Sequence, residues 1–158
     1  MAISDTSGTK CYIGPATTLE TGAEIEAASI VWTEIGEVES IGEFGDTNAS
    51  ITFTSLSDAR VRKRKGAADA GDVTINVAND PNDAGQQAAI AASKTKFYYP
   101  IRVVPNDRPT PTGTDSEFYF AALVMSARIN PGAANATIMR AINLAINTDV
   151  HEVPAAEA

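Results

Sequence analysis

Cysteine and histidine occur once each, as Cys11 and His151. One cysteine excludes an internal disulfide, and one residue of each type excludes a zinc centre of the usual Cys/His kind within one subunit. Cys11 stands in a short apolar run, Cys11-Tyr12-Ile13, and reads as a small core residue rather than a nucleophile. Aromatic residues make up only 6% of the chain while Ala, Thr, Ile and Val are prominent, which favours strands packed through small side chains. No stretch approaches the roughly 20 apolar residues of a membrane span, and the opening residues 1–10 hold no apolar run of signal-peptide length. Synthesis in the cytosol and no membrane partner are the expectations.

Catalytic signatures are missing too. No G-x-S-x-G, Walker phosphate loop or G-x-G-x-x-G occurs, and His151 lies in a tail-like segment away from any nucleophile. Asp80-Pro-Asn82-Asp83-Ala84-Gly85 superficially matches a calcium loop, but Ala84 and Ala91 stand where ligands are required. Asn48-Ala-Ser50 and Asn135-Ala-Thr137 fit the glycosylation pattern and read as polar turns. No enzymatic activity, cofactor or metal is expected.

What is present is a chain of 158 residues, 44% hydrophobic and 20% charged, sized for one domain with its own core. The expected core spans about residues 10–147, and residues 148–158 read as a flexible tail. Its charge of −8 is unevenly spread. Residues 1–46 hold nine acidic side chains, among them Glu34, Glu37, Glu39 and Glu43, against the single base Lys10. The remainder is balanced, but Arg60, Arg62, Lys63, Arg64 and Lys65 form a compact basic block. Three roles suit that block: a solvated loop, a salt-sensitive contact between subunits, or a grip on phosphates. Missing aromatic interleaving and the acidic net charge count against the last. An acidic segment and a basic one in the same chain suit head-to-tail contact between identical copies.

Periodicity predicts six to eight strands and one main helix. Residues 10–14 read as a short strand and residues 15–29 as a loop. Residues 30–45 read as one strand with an irregular centre, followed by a turn at 46–48. Ile51-Thr-Phe53-Thr alternates like a half-buried strand, residues 57–71 form a loop holding the basic block, and Val73-Thr-Ile75-Asn-Val77 alternates again. A helix over about residues 81–95 is predicted, with Asp80 as cap, Pro81 in its first turn and Ala84, Ala88, Ala91 and Ala92 on its apolar face. Residues 97–104 read as a strand in which Pro100 demands an edge or a bulge. Residues 117–128, apolar on both faces, read as a central strand. Residues 137–147 alternate, with Ile138, Ile142, Leu144 and Ile146 on one side and a small polar face on the other. Mainly β, an antiparallel sandwich or partly closed barrel with one flanking helix, is the expected class.

The order of these features resembles one family. Trp32-x-Glu34-Ile35-Gly36-x-Val38, continuing to Ser40-Ile-Gly-Glu-Phe-Gly45, precedes the Ile-Thr-Phe-Thr strand and the basic loop. A strand after Gly71-Asp72, a helix containing Gly85-Gln86-Gln87, a Tyr/Pro/Ile strand and a Phe118-Tyr-Phe120 strand follow. Together, over about residues 10–147, they are similar to the tail tube proteins of siphoviruses and related gene-transfer particles. The resemblance implies six copies in a ring and rings stacked into a hollow tail tube, with other tail proteins at its ends. Through such a tube the genome passes without specific binding, and the subunit ends in the virion after assembly in the host cytoplasm. It also implies that a long loop reaches the adjoining ring, which carries the contact role onto Arg60, Arg62, Lys63, Arg64 and Lys65. Glu34, Glu37, Glu39 and Glu43 are the candidate acidic counterpart, and the small polar face of residues 137–147 is a candidate lumen lining. The competing reading is a capsid-decoration or adhesin-like β-sandwich, which calls for clustered exposed aromatics or calcium-type carboxylates that the sequence does not display. A small hydrolase lacks a nucleophile paired with a base.

Overall fold

The run that reads as apolar on both faces becomes the longest strand of the protein and its spine. The computed structural model describes residues 3–157, and among these the order is β1 (Lys10–Ile13), α1 (Gly22–Ala27), β2 (Thr33–Ile35), β3 (Val38–Ile41), β4 (Thr47–Thr54) and β5 (Val61–Asp69). It continues with β6 (Asp72–Ala78), α2 (Ala84–Ser93), β7 (Tyr99–Val104), β8 (Glu117–Asn130), β9 (Met139–Ile146) and β10 (His151–Val153). The spine is β8. Along one edge its first half pairs with β7, from Tyr99↔Ala122 to Val103↔Phe118. Along the other edge lie β10 and β9, end to end. The chain from Ile146 to His151 is longer than the Ala122–Tyr119 stretch it faces. The extra residues are tied in by Thr148, which is buried and whose Oγ1 accepts from the Ala121 N–H at 3.0 Å.

The main sheet is antiparallel throughout, ordered β2-β1-β7-β8-β9-β6-β3, with β10 added on β8. β2 and β3 stand at opposite ends of that order, yet only Gly36 and Glu37 separate them in the chain. The sheet must therefore curl until its ends meet at this corner. No pairing joins β2 to β3, so the result is sandwich-like rather than a closed barrel. Inside the curl sits one cluster: Ile13, Ile35, Ile101, Val103, Phe120, Val124, Val73, Ile75, Val77, Ile142 and Leu144, with Ala89 and Ala92 of α2. Each large aliphatic or Phe side chain buried there contributes about 1.5–3 kcal/mol relative to exposure. On the opposite face of β8, Tyr119 and Ala121 pack against Ile25 of α1.

A buried glutamine holds the corner. Gln86 Nε2 donates to Gly36 O at 3.0 Å and to Ala78 O at 2.9 Å, while its Oε1 accepts from the Asp80 N–H at 3.0 Å. Asp83 caps α2 by accepting from the Gln86 N–H and reaches across to accept from the Gly36 N–H. Glu37 turns the corner with φ 55, a conformation costly for a residue with a Cβ, so the bonds around it hold a strained backbone.

Several expectations are corrected. Asp83, not Asp80, caps the helix, because Asp80 to Asp83 form a turn of their own closed by Asp83 N–H to Asp80 O. The buried helix face is consequently Gly85, Gln86, Ala89 and Ala92, with Ala84 and Ala91 outside. Residues 15–29 contain a short helix, α1, capped by Thr21, where the lack of long periodicity concealed a two-turn element. Residues 30–45 are not one strand: the Gly36-Glu37 corner breaks them into two that lie at opposite ends of the sheet. Pro100 is neither on an edge strand nor in a bulge. β7 is interior, and Pro100 is tolerated because its carbonyl, and hence its missing N–H, faces the β1 side beyond the last β1 pair, Ile13↔Ile101. Residues 151–153, read as part of a flexible tail, pair with β8.

Candidate assembly surfaces

The region with the basic block departs most from expectation. Arg62, Lys63, Arg64 and Lys65 lie on a strand rather than in a loop, with Arg60 just before it, and the neighbouring β4 is not half-buried: every residue of β4 is exposed. β4 and β5 form a separate two-stranded ribbon outside the main sheet. Eight residues at about 3.4 Å each give β4 a length of about 27 Å. Two-stranded ribbons are marginal in water without a surface to lie on.

Residues directly opposite one another in an antiparallel pair share a face. Ile51↔Arg64 and Phe53↔Arg62 therefore define one face, and Ser50↔Lys65, Thr52↔Lys63 and Thr54↔Val61 the other. Ile51 and Phe53 are 55% and 61% exposed, and Leu56 at the tip is wholly exposed. Arg62 pairs with Asp58 at 2.6 Å. The Arg60 backbone N–H and then the Arg62 guanidinium hold the Asp58 carboxyl below its usual range. Arg60 sits where the tip rejoins β5, its carbonyl accepting from the Ser55 N–H. Lys63, Arg64 and Lys65 have no acidic partner among the described residues.

The acidic candidates do not meet the bases within the protomer. Glu34 is on β2, Glu39 on β3, Glu37 at the corner between them and Glu43 just beyond β3, and all four are exposed. Both strands are edges of the main sheet with one side unpaired. Carboxylates along a free strand edge discourage indiscriminate pairing while leaving a specific, charge-matched partner free to dock. On the outer face of β6 and β9, Thr74, Asn76, Ala141, Asn143 and Ala145 alternate with the core residues and make a small uncharged patch, bordered by Asp72 opposite Ala145 and by Arg128 opposite Ala141.

One cluster was not visible in the sequence, because its members are far apart in the chain. Arg102 bonds Glu117, whose other oxygen accepts from the Tyr119 hydroxyl at 2.7 Å, and the guanidinium lies over the Tyr12 ring at 5.1 Å. Burial works to raise the Glu117 pKa, but the bonds from Tyr119 and Arg102 outweigh it and hold the carboxyl below its usual range. Burial, with the bond to Glu117, pushes the Tyr119 hydroxyl up to about 12. The cluster borders a cleft of about 510 Å³ that also holds the Arg108–Asp115 pair at 3.0 Å. With both arginines matched to carboxylates, these side chains brace the β7–β8 end of the sheet.

Cys11 is fully buried, and burial pushes its thiol up to about 12, so it stays protonated in the core as expected. His151 bonds Glu26 at 2.7 Å and ties β10 to α1. Among the described residues no three His, Cys, Asp or Glu side chains converge to hold a metal ion, and no helix is long and apolar enough to cross a membrane.

Comparison with known proteins places this geometry. No curated protein matches the sequence. Among solved structures, the SPP1 tail tube aligns with a TM-score of 0.64 at 13% identity, covering 92% of this chain and 76% of its own. The sheath/tube terminator of the extracellular contractile injection system PVC, in its extended state, aligns at 0.68 and 13% identity, with 96% of each chain covered. The tube-terminating cap of the anti-feeding prophage aligns at 0.68 and 12% identity, covering 98% of this chain and 95% of its own. At such identities the likeness is one of fold. The sequence itself matches the profile of the family described as phage tail tube protein over residues 5–153, and the chain therefore belongs to the phage tail tube protein family.

Proposed function

We propose that the protein is the repeating subunit of a hollow tail tube: six copies close a ring, rings stack head to tail, and the genome passes through the lumen without specific binding. The observation that carries this reading is the β4–β5 ribbon, exposed at every residue but Gly66 and paired with no other strand among the described residues. A projection of that kind in a tube-forming family is an arm for a neighbouring copy. The free edges of β2 and β3 suit lateral pairing around a ring, which would bury both edges. The largely uncharged face of Thr74, Asn76, Ala141 and Asn143 suits a lumen that must not hold DNA.

In this reading the chain is one domain, Arg60, Arg62, Lys63, Arg64 and Lys65 lie at the contact between rings, and Glu34, Glu37, Glu39 and Glu43 supply the opposite charge. The tube is part of the virion tail, assembled in the host cytoplasm, and other tail proteins meet its ends. Electron microscopy of the purified protein at rising concentration tests the proposal. Uniform hollow filaments, with sixfold symmetry in end views, are expected. A protein that stays monomeric at every concentration and salt, with or without added tail-end proteins, would contradict it.

A further inference from the structure

Two surfaces lack a partner within the protomer, and they differ in a complementary way. One is the ribbon face bearing Ile51 and Phe53. Its large side chains stand beside Gly66, where an added Cβ would come within 3.3 Å of Ile51 Cδ1, so Ile51 lies across the glycine and the face is continuous. The other is a groove of about 410 Å³ between α2 and the β1–β2 edge, lined by Pro15, Val31, Thr33, Ala88, Ala91 and Tyr99 among others. Val31 at its rim is 80% exposed. Large apolar groups stand on the ribbon, and the helix side of the groove is made of alanines, with Val31, Pro15 and Tyr99 on its other side.

We propose that the Ile51–Phe53 face of the ribbon, and not its lysine face, seats in the α2/β2 groove of a second copy, with Arg64 reaching that copy's Glu34. The charges favour this arrangement over the reverse. Arg62 already carries its own counter-charge in Asp58, so covering it beside Phe53 demands no carboxylate from the partner. Arg64, opposite Ile51, is the remaining charge of that face, and Glu34, next to Thr33 on the edge strand β2, alternates to the other face of that strand at its unpaired edge, exposed and without a basic partner among the described residues, so the arginine must reach it across the edge. Lys63 and Lys65, beside Ser50, Thr52 and Thr54, make the other face the more polar of the two, with Val61 as its large apolar side chain. Ribbon and groove are different surfaces of one chain, so the contact propagates head to tail instead of closing a two-fold dimer.

The inference rests on the self-assembly reading, and its test separates the two. Polymer formation is followed by sedimentation across a concentration series for the unaltered chain, Ile51→Thr with Phe53→Ser, Lys63→Ser with Lys65→Ser, and Ala91→Arg, with circular dichroism checking each fold. The apolar-face pair and Ala91→Arg raise the concentration needed for polymer about tenfold or more, a factor equivalent to about 1.4 kcal/mol. The lysine pair shifts it less than about twofold. Phe53→Cys chains mixed with Ala91→Cys chains form an interchain disulfide within the polymer, and Thr52→Cys chains mixed with Ala91→Cys chains do not. Equal effects from both faces, cross-linking through Thr52→Cys, or normal polymer from Ala91→Arg overturn the inference while self-assembly stands. An unaltered chain that never polymerises overturns both.

Discussion

Replacing Gln86 by Leu tests how the corner between β2 and β3 is held. Gln86 is fully buried and makes three side-chain bonds, to Gly36 O, Ala78 O and the Asp80 N–H. Leucine fills similar volume but makes none of them. Each lost bond costs about 1 kcal/mol net, and a buried group left unpaired costs about 1–3 kcal/mol. The three backbone partners are only partly buried, so water recovers some of that loss and the low end applies. The total is about 3 kcal/mol. For a domain of this size each kcal/mol lowers Tm by about 2–4 °C, giving a fall of about 6–12 °C. Urea titration of the monomer, below the concentration at which it assembles, measures the same quantity as a lower midpoint with an unchanged slope. Gln87→Ala, one residue on and exposed, serves as the control, with an expected effect within about 0.5 kcal/mol. A loss under about 1 kcal/mol for Gln86→Leu would refute the idea that these bonds hold the corner.

Gly85→Ala places a Cβ 2.1 Å from Glu34 O, so α2 must retreat from β2; overpacking of this kind costs about 1–3 kcal/mol, read as a lower urea midpoint. Neutralising Arg60, Arg62, Lys63, Arg64 and Lys65 to serine leaves the melting curve of the monomer in place while abolishing polymer seen by electron microscopy; normal tubes from this variant would remove the bases from the contact. Backbone amides of β4 and β5 exchange with deuterium within seconds to minutes in the free subunit and become protected in the polymer, since only assembly covers them. Glu117 has a folded-state pKa below its unfolded value of about 4.5, so its contribution is fully present above that pH and is lost as pH falls through the folded value. The melting temperature of Glu117→Gln therefore falls less steeply below pH 4.5 than that of the unaltered protein.

Much of the fold was legible because one-sided burial writes a period into the sequence. β6 and β9 alternate in the sequence and alternate in burial, and the doubly apolar run of residues 117–128 lies under α2 on one face and α1 on the other. Elements shorter than two full periods, such as α1 and β10, leave no such trace, and their positions depend on contacts with β8 made far along the chain. The helix register slipped for a related reason. With five alanines among the ten residues of α2, composition cannot say which face is buried, and the answer comes from Gln86 and Gly85, a polar residue and a glycine outside the predicted alanine face. Their burial follows from the corner, where backbone groups of Gly36, Ala78 and Asp80 need a partner.

The alternation of β4 has a different meaning. Ile51 and Phe53 alternate with threonines as they would on a half-buried strand, which is how the sequence reads. In the protomer they face solvent. On the proposed assembly, an apolar alternation that the chain's own core does not use marks a strand whose covering layer comes from a second copy. The same holds for the charges: five bases and four glutamates, legible as complementary sets, find no partner in each other within one copy. Pattern reading detects that a surface is destined for burial but carries no information on whether the covering atoms belong to the same molecule. In a chain of this family, both mismatches resolve together if a second copy supplies what the first one lacks.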